Sequence, residues 1–311
     1  MDANMRPPNY NGGVSRRRAH VERGHPVTVH SRKKRRKARV GALDFILGML
    51  GAIFLFGGLV FAILAWREKA PYVKAKAEYE KFRMEAADPL PDNNPYAGDG
   101  AEGPTPEAVE AYGEELSARG MDWVKMRYIN QDIVAWITVP GTQIDYPVCQ
   151  GADNEYYLSH NAYRDSNALG AIFADSQCSF TSGHPILYGH NMEEGQMFGE
   201  LSFYESEAFW RSHPYVYIYT PEGCERWAVF SAFQTNEKDT LYQVGLEPGS
   251  EGYQGLVDRL SGERHYDTGI SPDGNTRVMT LSTCADYGYE GDRFTVHLVR
   301  QDAGAPDGAA E

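Results

Sequence analysis

A long apolar run lies near the N-terminus of the chain. Residues 45–66 are 22 residues without a charge or a proline. A helix rises 1.5 Å per residue, so this run spans about 33 Å, enough to cross a hydrocarbon core of roughly 30 Å. A cleaved signal peptide has a shorter apolar core followed by a small-residue cleavage site, whereas this run continues into Trp-Arg-Glu-Lys. A buried core helix is disfavoured by the basic cluster beside the run, so we expect a transmembrane helix over residues 42–66.

The residues after the apolar run change in composition halfway. Residues 67–86 mix charged residues with good helix formers and predict a stalk helix. Residues 87–106 hold five prolines and three glycines, which is typical of a linker. Thr105 before Pro106 is a helix start signal, because threonine caps a helix and proline is tolerated at its first position. The pattern then predicts a helix that ends near Gly120 and a short helix over residues 122–130.

From residue 133 onward the pattern changes to short runs of β-branched and aromatic residues separated by turn residues. The runs are IVAWITVPGT, YPVCQ, AIFAD, PILYGH, YVYIYT, RWAVFSAFQT, RVMTLSTC and RFTVHLVR. Many short strands of this kind predict a closed or nearly closed β-barrel. Helical interruptions are expected near residues 203–212 and 252–261. The predicted fold class is mainly β with peripheral helices: a barrel preceded by N-terminal helices and a single transmembrane helix.

The distribution of charge predicts how the chain is oriented in the membrane. The formal net charge is −13, yet residues 1–41 contain twelve lysines and arginines and only two acidic residues. The positive-inside rule places this basic tail, which we expect to be disordered, in the cytoplasm and the acidic remainder outside the cell. The basic cluster at residues 32–39 lies next to the predicted membrane, so membrane lipid is its expected partner and nucleic acid is not.

The chain has four cysteines, Cys149, Cys178, Cys224 and Cys284, without a CxxC motif or close metal-ligand spacing. Four scattered cysteines do not indicate a disulfide framework, and burial as small apolar residues is expected for three of them. No metal or organic cofactor is expected.

Cys284 has surroundings that suit nucleophilic chemistry. The run RVMTLSTC ends at Cys284, eight residues follow, and the next run begins at Arg293. If the two strands pair through that loop, the guanidinium lies near the thiol, where it favours the thiolate and can donate to an oxyanion. A buried structural cysteine near a surface arginine is the alternative from this pattern alone.

His190 ends the apolar run PILYGH. A histidine at a strand end can serve as the general acid for a leaving amine in cysteine acyl transfer. A solvated loop histidine is the alternative, and with nine histidines in the chain the spacing alone does not select this one.

Three of these motifs resemble the sortase family. They are TLSTC at residues 280–284, YGHN at residues 188–191, and an arginine nine residues after the cysteine. The segments WITVPGTQIDYPVCQ, DNEYYL, YGHNMEEGQMFGEL and HPYVYIYT resemble class B sortases in particular, and the likeness extends over roughly residues 107–300. The resemblance implies a catalytic trio of Cys284, His190 and Arg293. The substrate-groove residues that it implies are Asn154, Leu158, Tyr188, Ser282, Tyr266 and Ile270.

The same resemblance implies a fold and a reaction. Sortases are β-barrels that cleave the C-terminal sorting signal of a secreted protein at a Thr carbonyl, and class B members favour NPxTN-like signals. The thioester acyl-enzyme is then resolved by an amine, usually of a peptidoglycan precursor, which anchors surface proteins to the Gram-positive cell wall. The expected partners are therefore secreted proteins with a sorting signal, that amine, and membrane lipid.

These expectations give a single-pass cell-membrane protein with an extracellular catalytic domain. Its parts would be a basic cytoplasmic tail (1–41), a transmembrane helix (42–66), a stalk and linker (67–106), a sortase catalytic domain (107–301) and a disordered tail (302–311).

Three other functions compete with this one. A pilin-polymerising sortase would use a lysine amine in place of the peptidoglycan amine. A catalytically inactive surface binding domain is disfavoured by the intact trio. An L,D-transpeptidase also uses Cys and His, but its expected sequence run is absent and Arg293 would have no role in it.

Overall fold

The computed structural model describes residues 41–96, 103–284 and 291–301, with Cys284 described by its backbone. The predicted basic tail, apart from residue 41, and the predicted C-terminal tail over residues 302–311 lie outside these ranges. The chain divides into two units, Met1–Leu59 and Val60–Glu311, and helix α1 (Ala42–Ala86) has residues in both.

Helix α1 confirms that the apolar run near the N-terminus is helical. Its large apolar side chains are exposed there, for example Phe54 at 83% and Leu55 at 74%. A window of 18 residues in α1 has a mean hydropathy of 2.5, and none of it is buried. Among the residues that the structure describes, α1 is the one helix long and apolar enough to cross a membrane. A core helix of a soluble protein would bury these side chains, so their exposure suggests a single membrane span.

In the second unit, the last turns of α1 bury one stripe of side chains. Ala75, Tyr79, Phe82 and Ala86 recur at helical spacing and are at most 5% exposed. Phe82 stacks on Trp136 of the barrel, with ring centroids 6.2 Å apart. The segment predicted as a stalk helix is therefore a helix that packs one face into the core.

Two short helices follow, as the sequence predicts. Helix α2 (Pro106–Ser117) begins after Thr105, whose hydroxyl accepts a hydrogen bond from the Ala108 amide. Helix α3 (Trp123–Ile129) begins after Asp122, whose carboxylate caps it in the same way. Both caps satisfy amide groups that the first helical turn leaves without intrahelical partners.

Eight strands close into a barrel, which confirms the predicted fold class. The strands are β1 (Ile133–Thr138), β2 (Asp145–Cys149), β3 (Ile172–Ala174), β4 (Ile186–Gly189), β5 (Tyr215–Thr220), β6 (Gly223–Asn236), β7 (Val278–Cys284) and β8 (Asp292–Arg300). Their order around the barrel is β1-β2-β3-β4-β7-β8-β6-β5. The pairs β2–β3 and β4–β7 are parallel, and the other pairs are antiparallel.

Short helices lie in the connections between strands. Helices α4 (Glu207–Ser212) and α5 (Glu251–Gly262) occupy the two places where the sequence predicts helical interruptions. Short 3-10 helices cover Tyr156–Leu158, Leu201–Glu205 and Thr240–Tyr242.

A buried ion pair joins the segment after α2 to the barrel. Arg119 Nη1 lies 2.7 Å from Asp145 Oδ1, and the two side chains are 1% and 3% exposed. Trp136 Nε1 and the Thr138 hydroxyl each donate to the same oxygen at 2.7 Å. Burial opposes ionisation of Asp145, but the hydrogen bonds and charge of Arg119 outweigh it, so the pKa of Asp145 is lowered.

A second buried polar group consists of two histidines and two threonines. His184 Nε2 lies 2.8 Å from the Thr280 hydroxyl, which lies 3.0 Å from His297 Nδ1. The other ring nitrogen of His297 lies 3.1 Å from the Thr295 hydroxyl. Burial lowers the pKa of His184 to about 4 and the pKa of His297 well below its ordinary value. Both rings are therefore neutral in the folded protein at neutral pH.

Candidate active site

Three neighbouring strand ends form the candidate site. Strands β4 and β7 run parallel, and Gly189 of β4 is paired with Thr283 of β7. His190 and Cys284 are the next residues along the chain in each case. Strand β8 runs antiparallel to β7, and the partner of Cys284 is Arg293. Paired residues of antiparallel strands have Cα atoms about 4.5–5.5 Å apart. The barrel topology thus brings the backbone positions of the predicted trio together.

Gly189 allows a close backbone approach just before His190. A Cβ atom at this glycine would lie 2.8 Å from the Phe198 ring, closer than the optimal contact of two carbons, about 3.5–4.0 Å. The Phe198 amide donates to the His190 carbonyl at 3.0 Å. The YGHN turn therefore needs a glycine before the histidine.

The His190 ring has a defined proton arrangement. Its Nε2 lies 2.7 Å from the Leu158 carbonyl oxygen. A carbonyl oxygen only accepts, so Nε2 donates and carries a proton. Leu158 ends the short 3-10 helix Tyr156–Leu158, so this helix orients the ring. In the neutral ring, Nδ1 is then the nitrogen that accepts a proton.

Arg293 is held by a carboxylate on the connection after β6. Its Nη2 donates to Glu237 Oε2 at 2.8 Å, and its Nη1 donates to the Asp292 carbonyl at 2.9 Å. The Arg293 side chain is 21% exposed, against 48% for Glu237. A guanidinium has five N–H donors, so these two bonds use fewer than half of them. Arg293 retains the capacity to donate to an oxyanion.

A pocket of about 310 Å³ includes residues from these strand ends. It is lined by Asn154, Leu158, Phe173, Asp175, Tyr188, Gly189, Glu237, Tyr242, Ser282 and Arg293. Four of the six predicted substrate residues are in this set, namely Asn154, Leu158, Tyr188 and Ser282. Arg293 belongs both to this pocket and to the predicted trio, so the pocket adjoins one member of that trio.

Five lining residues of this pocket are not among the predicted site residues: Phe173, Asp175, Gly189, Glu237 and Tyr242. The Tyr242 hydroxyl lies 2.8 Å from the Ser282 hydroxyl, and its ring stacks on Tyr188 with centroids 6.3 Å apart. Asp175 comes directly after a buried strand, and a carboxylate in that position was an available signal. Nothing in the local pattern around Glu237 or Tyr242 marks either residue.

The other two predicted substrate residues, Tyr266 and Ile270, lie outside this pocket. Tyr266 stacks on Trp210, and its hydroxyl donates to the Tyr204 carbonyl at 2.8 Å. Ile270 packs against a cluster that includes residues of α5 and β6. The connection between α5 and β7 therefore uses both side chains for packing.

Within the described part of the chain, Cys149, Cys178 and Cys224 are free thiols. Burial raises the pKa of Cys178 to about 11 and that of Cys224 to about 12, and it also raises the pKa of Cys149. These thiols stay protonated at neutral pH and are poor nucleophiles, so Cys284 is the candidate nucleophile. In the same described ranges, no three His, Cys, Asp or Glu side chains are grouped to hold a metal ion.

Comparisons with a family model and with curated proteins both identify sortases. A family model described as the sortase domain matches residues 137–301. The chain is similar to the sortase B of Listeria monocytogenes, with 32% identity over 177 residues, or 55% of this chain and 70% of that protein.

Solved structures are similar as well. Clostridium perfringens sortase B has 31% identity and a TM-score of 0.54, covering 58% of this chain and 99% of its own. A Staphylococcus aureus sortase B–substrate complex has 26% identity and a TM-score of 0.58, covering 74% of this chain and 97% of its own.

Proposed function

Because this chain belongs to the sortase family, and within it to class B, we propose that it is a membrane-anchored cysteine transpeptidase acting on secreted proteins. It cleaves a C-terminal sorting signal of the NPxTN kind and joins the protein to an amine of the peptidoglycan precursor. The observation that carries this proposal is the strand register, which pairs Cys284 with Arg293 beside the end of β4.

In the first step, the Cys284 thiolate attacks the Thr carbonyl carbon of the bound signal and forms a carbon–sulfur bond. The carbonyl oxygen becomes an oxyanion, to which the Arg293 guanidinium donates. The positive charge of Arg293 also favours the thiolate over the thiol. Glu237 orients this guanidinium through the hydrogen bond at 2.8 Å.

Collapse of the intermediate breaks the carbon–nitrogen bond and leaves the secreted protein as a thioester. His190, protonated on both ring nitrogens as the imidazolium that accompanies the thiolate, supplies the proton that the leaving amine takes up and becomes neutral. We assign this transfer to Nδ1, because Nε2 donates to the Leu158 carbonyl. In the second step, Nδ1 accepts a proton from an incoming primary amine. That amine attacks the thioester, forms the new amide and releases the thiolate.

The pocket beside the trio would hold the sorting signal. Asn154, Leu158, Tyr188 and Ser282 line it together with Arg293, so a peptide bound there has its scissile carbonyl within reach of the oxyanion donor. One similar protein, the Staphylococcus aureus sortase B, was solved as a substrate complex, which supports the binding of a sorting-signal substrate by this chain.

The anchor and the charge distribution support an extracellular location for the catalytic domain. Helix α1 is long and apolar enough for one membrane span, and the basic cluster at residues 32–39 favours a cytoplasmic N-terminus. The proposed parts are a tail over residues 1–41, a span over 42–66 and a catalytic domain whose main part is 107–301. The buried stripe of residues 75–86 makes the end of the stalk part of the catalytic fold. Tethering to the membrane raises the effective concentration of the site for membrane-bound substrates.

The test is mass spectrometry of the full-length protein in detergent with an NPxTN peptide and two amines. One amine mimics the peptidoglycan stem and the other is a lysine peptide. We expect a thioester adduct and a new amide with the stem amine. The Cys284→Ala variant should lose both products, and the Cys178→Ala variant should keep them.

Two other outcomes would each favour a different function. A folded protein that forms no adduct with a panel of sorting peptides contradicts a sortase activity and favours a binding domain. An amide formed with the lysine peptide alone favours pilin polymerisation over wall anchoring.

A further inference from the structure

Asp175 lines the pocket and accepts hydrogen bonds from two other lining residues. It follows β3 directly and is 5% exposed. Its Oδ2 accepts from Asn154 Nδ2 at 2.8 Å and from the Tyr188 hydroxyl at 3.0 Å. Its Oδ1 accepts from the Gln177 amide at 2.8 Å. A local turn explains the bond to Gln177, but it does not explain the two bonds into the pocket wall.

The hydrogen bond that Asn154 donates to Asp175 fixes the orientation of the Asn154 amide. At the other end of this side chain, Asn154 Oδ1 accepts from the Ser176 amide at 2.8 Å. A backbone N–H only donates and a carboxylate only accepts. If the Asn154 amide were flipped, its NH₂ group would face the Ser176 N–H and its oxygen would face the Asp175 carboxylate. Two donors would then meet at one end and two acceptors at the other, and both hydrogen bonds would be lost. The orientation with the NH₂ group toward Asp175 is the one that satisfies both partners.

The same carboxylate fixes the direction of the Tyr188 hydroxyl. Burial and then the charge of Asp175 raise the pKa of Tyr188, so the phenol stays protonated. Its proton is directed to Asp175, which leaves the phenol oxygen to act as an acceptor. The second N–H of Asn154 correspondingly acts as a donor. Both residues line the pocket, so the wall has one donor and one acceptor of defined position.

We propose that Asp175 is a positioning residue for the sorting peptide, acting through Asn154 and Tyr188. It sets which of these two side chains donates and which accepts toward a polar group of the bound signal. This role rests on the proposed function, since it concerns the peptide that the same pocket would bind.

The decisive variant is Asp175→Asn, which keeps the shape of the side chain. Its Oδ1 can still accept from the Gln177 amide, but an NH₂ group then replaces Oδ2 and opposes the NH₂ group of Asn154. Tyr188 must accept from that group and turn its proton away. We expect KM for an NPxTN peptide to rise about tenfold and kcat to change less than about twofold, because a defined hydrogen-bond pattern is lost in binding and the trio is untouched.

A double-mutant cycle separates this role from a general structural one. Tyr188→Phe should raise KM by a similar factor, and the double variant Asp175→Asn/Tyr188→Phe should raise it by clearly less than the product of the two. Asp273→Asn is the matched control and should leave KM unchanged, because this exposed carboxylate accepts from the Asn275 amide and does not line the pocket. The rate of Cys284 alkylation by iodoacetamide, taken at a pH high enough to ionise the thiol fully, should be the same in the wild type and the three variants of the cycle, since it requires no peptide.

Peptide affinity in a Cys284→Ala background keeps this test separate from that of the chemistry. The full-length protein should bind a fluorescent NPxTN peptide about tenfold more weakly when Asp175→Asn is added. Equal affinity, additive effects in the cycle, or a loss confined to kcat would overturn the positioning role. Failure of the wild-type protein to form a thioester, with the affinity difference intact, would overturn the proposed function alone. Absence of peptide binding in both proteins would overturn both.

Discussion

Cys284 of β7 and Arg293 of β8 are directly paired across an antiparallel ladder, with eight residues of chain between them. On the other side of β7, the preceding residue Thr283 is paired with Gly189 of β4. The end of β7 is thus held by a strand on each side. A nucleophile in this position has its proposed oxyanion donor, Arg293, on strand β8 and its proposed general acid, His190, at the end of strand β4.

The first prediction concerns Arg293. We expect Arg293→Ala to lower kcat for NPxTN cleavage by about 10²–10³-fold, the usual cost of removing one oxyanion donor. Steady-state cleavage of a fluorogenic peptide measures this. Arg300→Ala is the matched control, because Arg300 lies on the same strand and pairs with Glu225 instead. A comparable loss in both variants would indicate damage to β8 rather than loss of a donor.

The second prediction concerns the carboxylate that bonds Arg293. Glu237→Gln removes a negative charge beside Arg293 and should lower the pKa of the Cys284 thiol, because a nearby anion disfavours the thiolate. The pH profile of iodoacetamide alkylation should therefore shift to lower pH. Turnover should fall at the same time, because Glu237 holds the guanidinium in place. Glu225→Gln, which affects the pairs with Arg277 and Arg300, should leave the profile unchanged. A shift to higher pH would contradict the electrostatic role.

The third prediction is an acid-sensitive stability. The pKa of His184 is about 4 in the folded protein against 6.5 ordinarily. Between these values the unfolded chain binds more protons, so the free energy of unfolding falls as pH drops from about 6.5 to about 4. For His184 alone the loss is on the order of 3 kcal/mol, and His297 adds to it in the same direction. Below pH 4 the lowered pKa of Asp145 acts separately, because its ordinary value is 3.8.

Urea unfolding of the full-length protein in detergent at pH 7, 5.5 and 4.5 measures this dependence. The His184→Gln variant should flatten it. The His265→Gln variant should not, because His265 is exposed and has no bond to this buried group. A free energy of unfolding that does not change between pH 7 and pH 4.5 would rule out the neutral buried histidines.

The fourth prediction concerns the buried pair of Arg119 and Asp145. The Asp145→Asn variant leaves the Arg119 charge without its partner in a site where its side chain is 1% exposed. We expect a loss of about 3–5 kcal/mol in the free energy of unfolding. Chemical denaturation measures it, with the exposed Glu222→Gln as the control. A loss below about 1 kcal/mol would mean that water reaches Arg119 in the variant.

Local sequence patterns were enough to predict the barrel and the neighbourhood of Cys284. Each strand is a short apolar run between turn residues, and the hairpin of β7 and β8 joins Cys284 to Arg293 through eight residues. The caps at Thr105 and Asp122 mark the helix starts for equally local reasons. Such features depend on neighbours along the chain, which a sequence displays directly.

The placement of His190 and of the pocket wall depends on pairings between distant segments. His190 reaches the site only because β4 pairs in parallel with β7, and no local pattern specifies that register. Asp175 meets Asn154 through a hydrogen bond between segments 21 residues apart. The buried stripe of α1 at Ala75, Tyr79 and Phe82 has helical spacing, but its many charged neighbours led to the interpretation as a stalk.

The parallel pairing of β4 with β7 also bears on how the protein folds. Gly189 and Thr283 are partners, so the chain between them must close as a long loop before they meet. Contacts of such high sequence separation form slowly, because the entropy of loop closure is lost before the contacts compensate for it. The thiol of Cys284 should therefore acquire its special reactivity late in folding. A newly translocated chain would carry an ordinary cysteine until the barrel closes, and the onset of fast alkylation during refolding would report that closure.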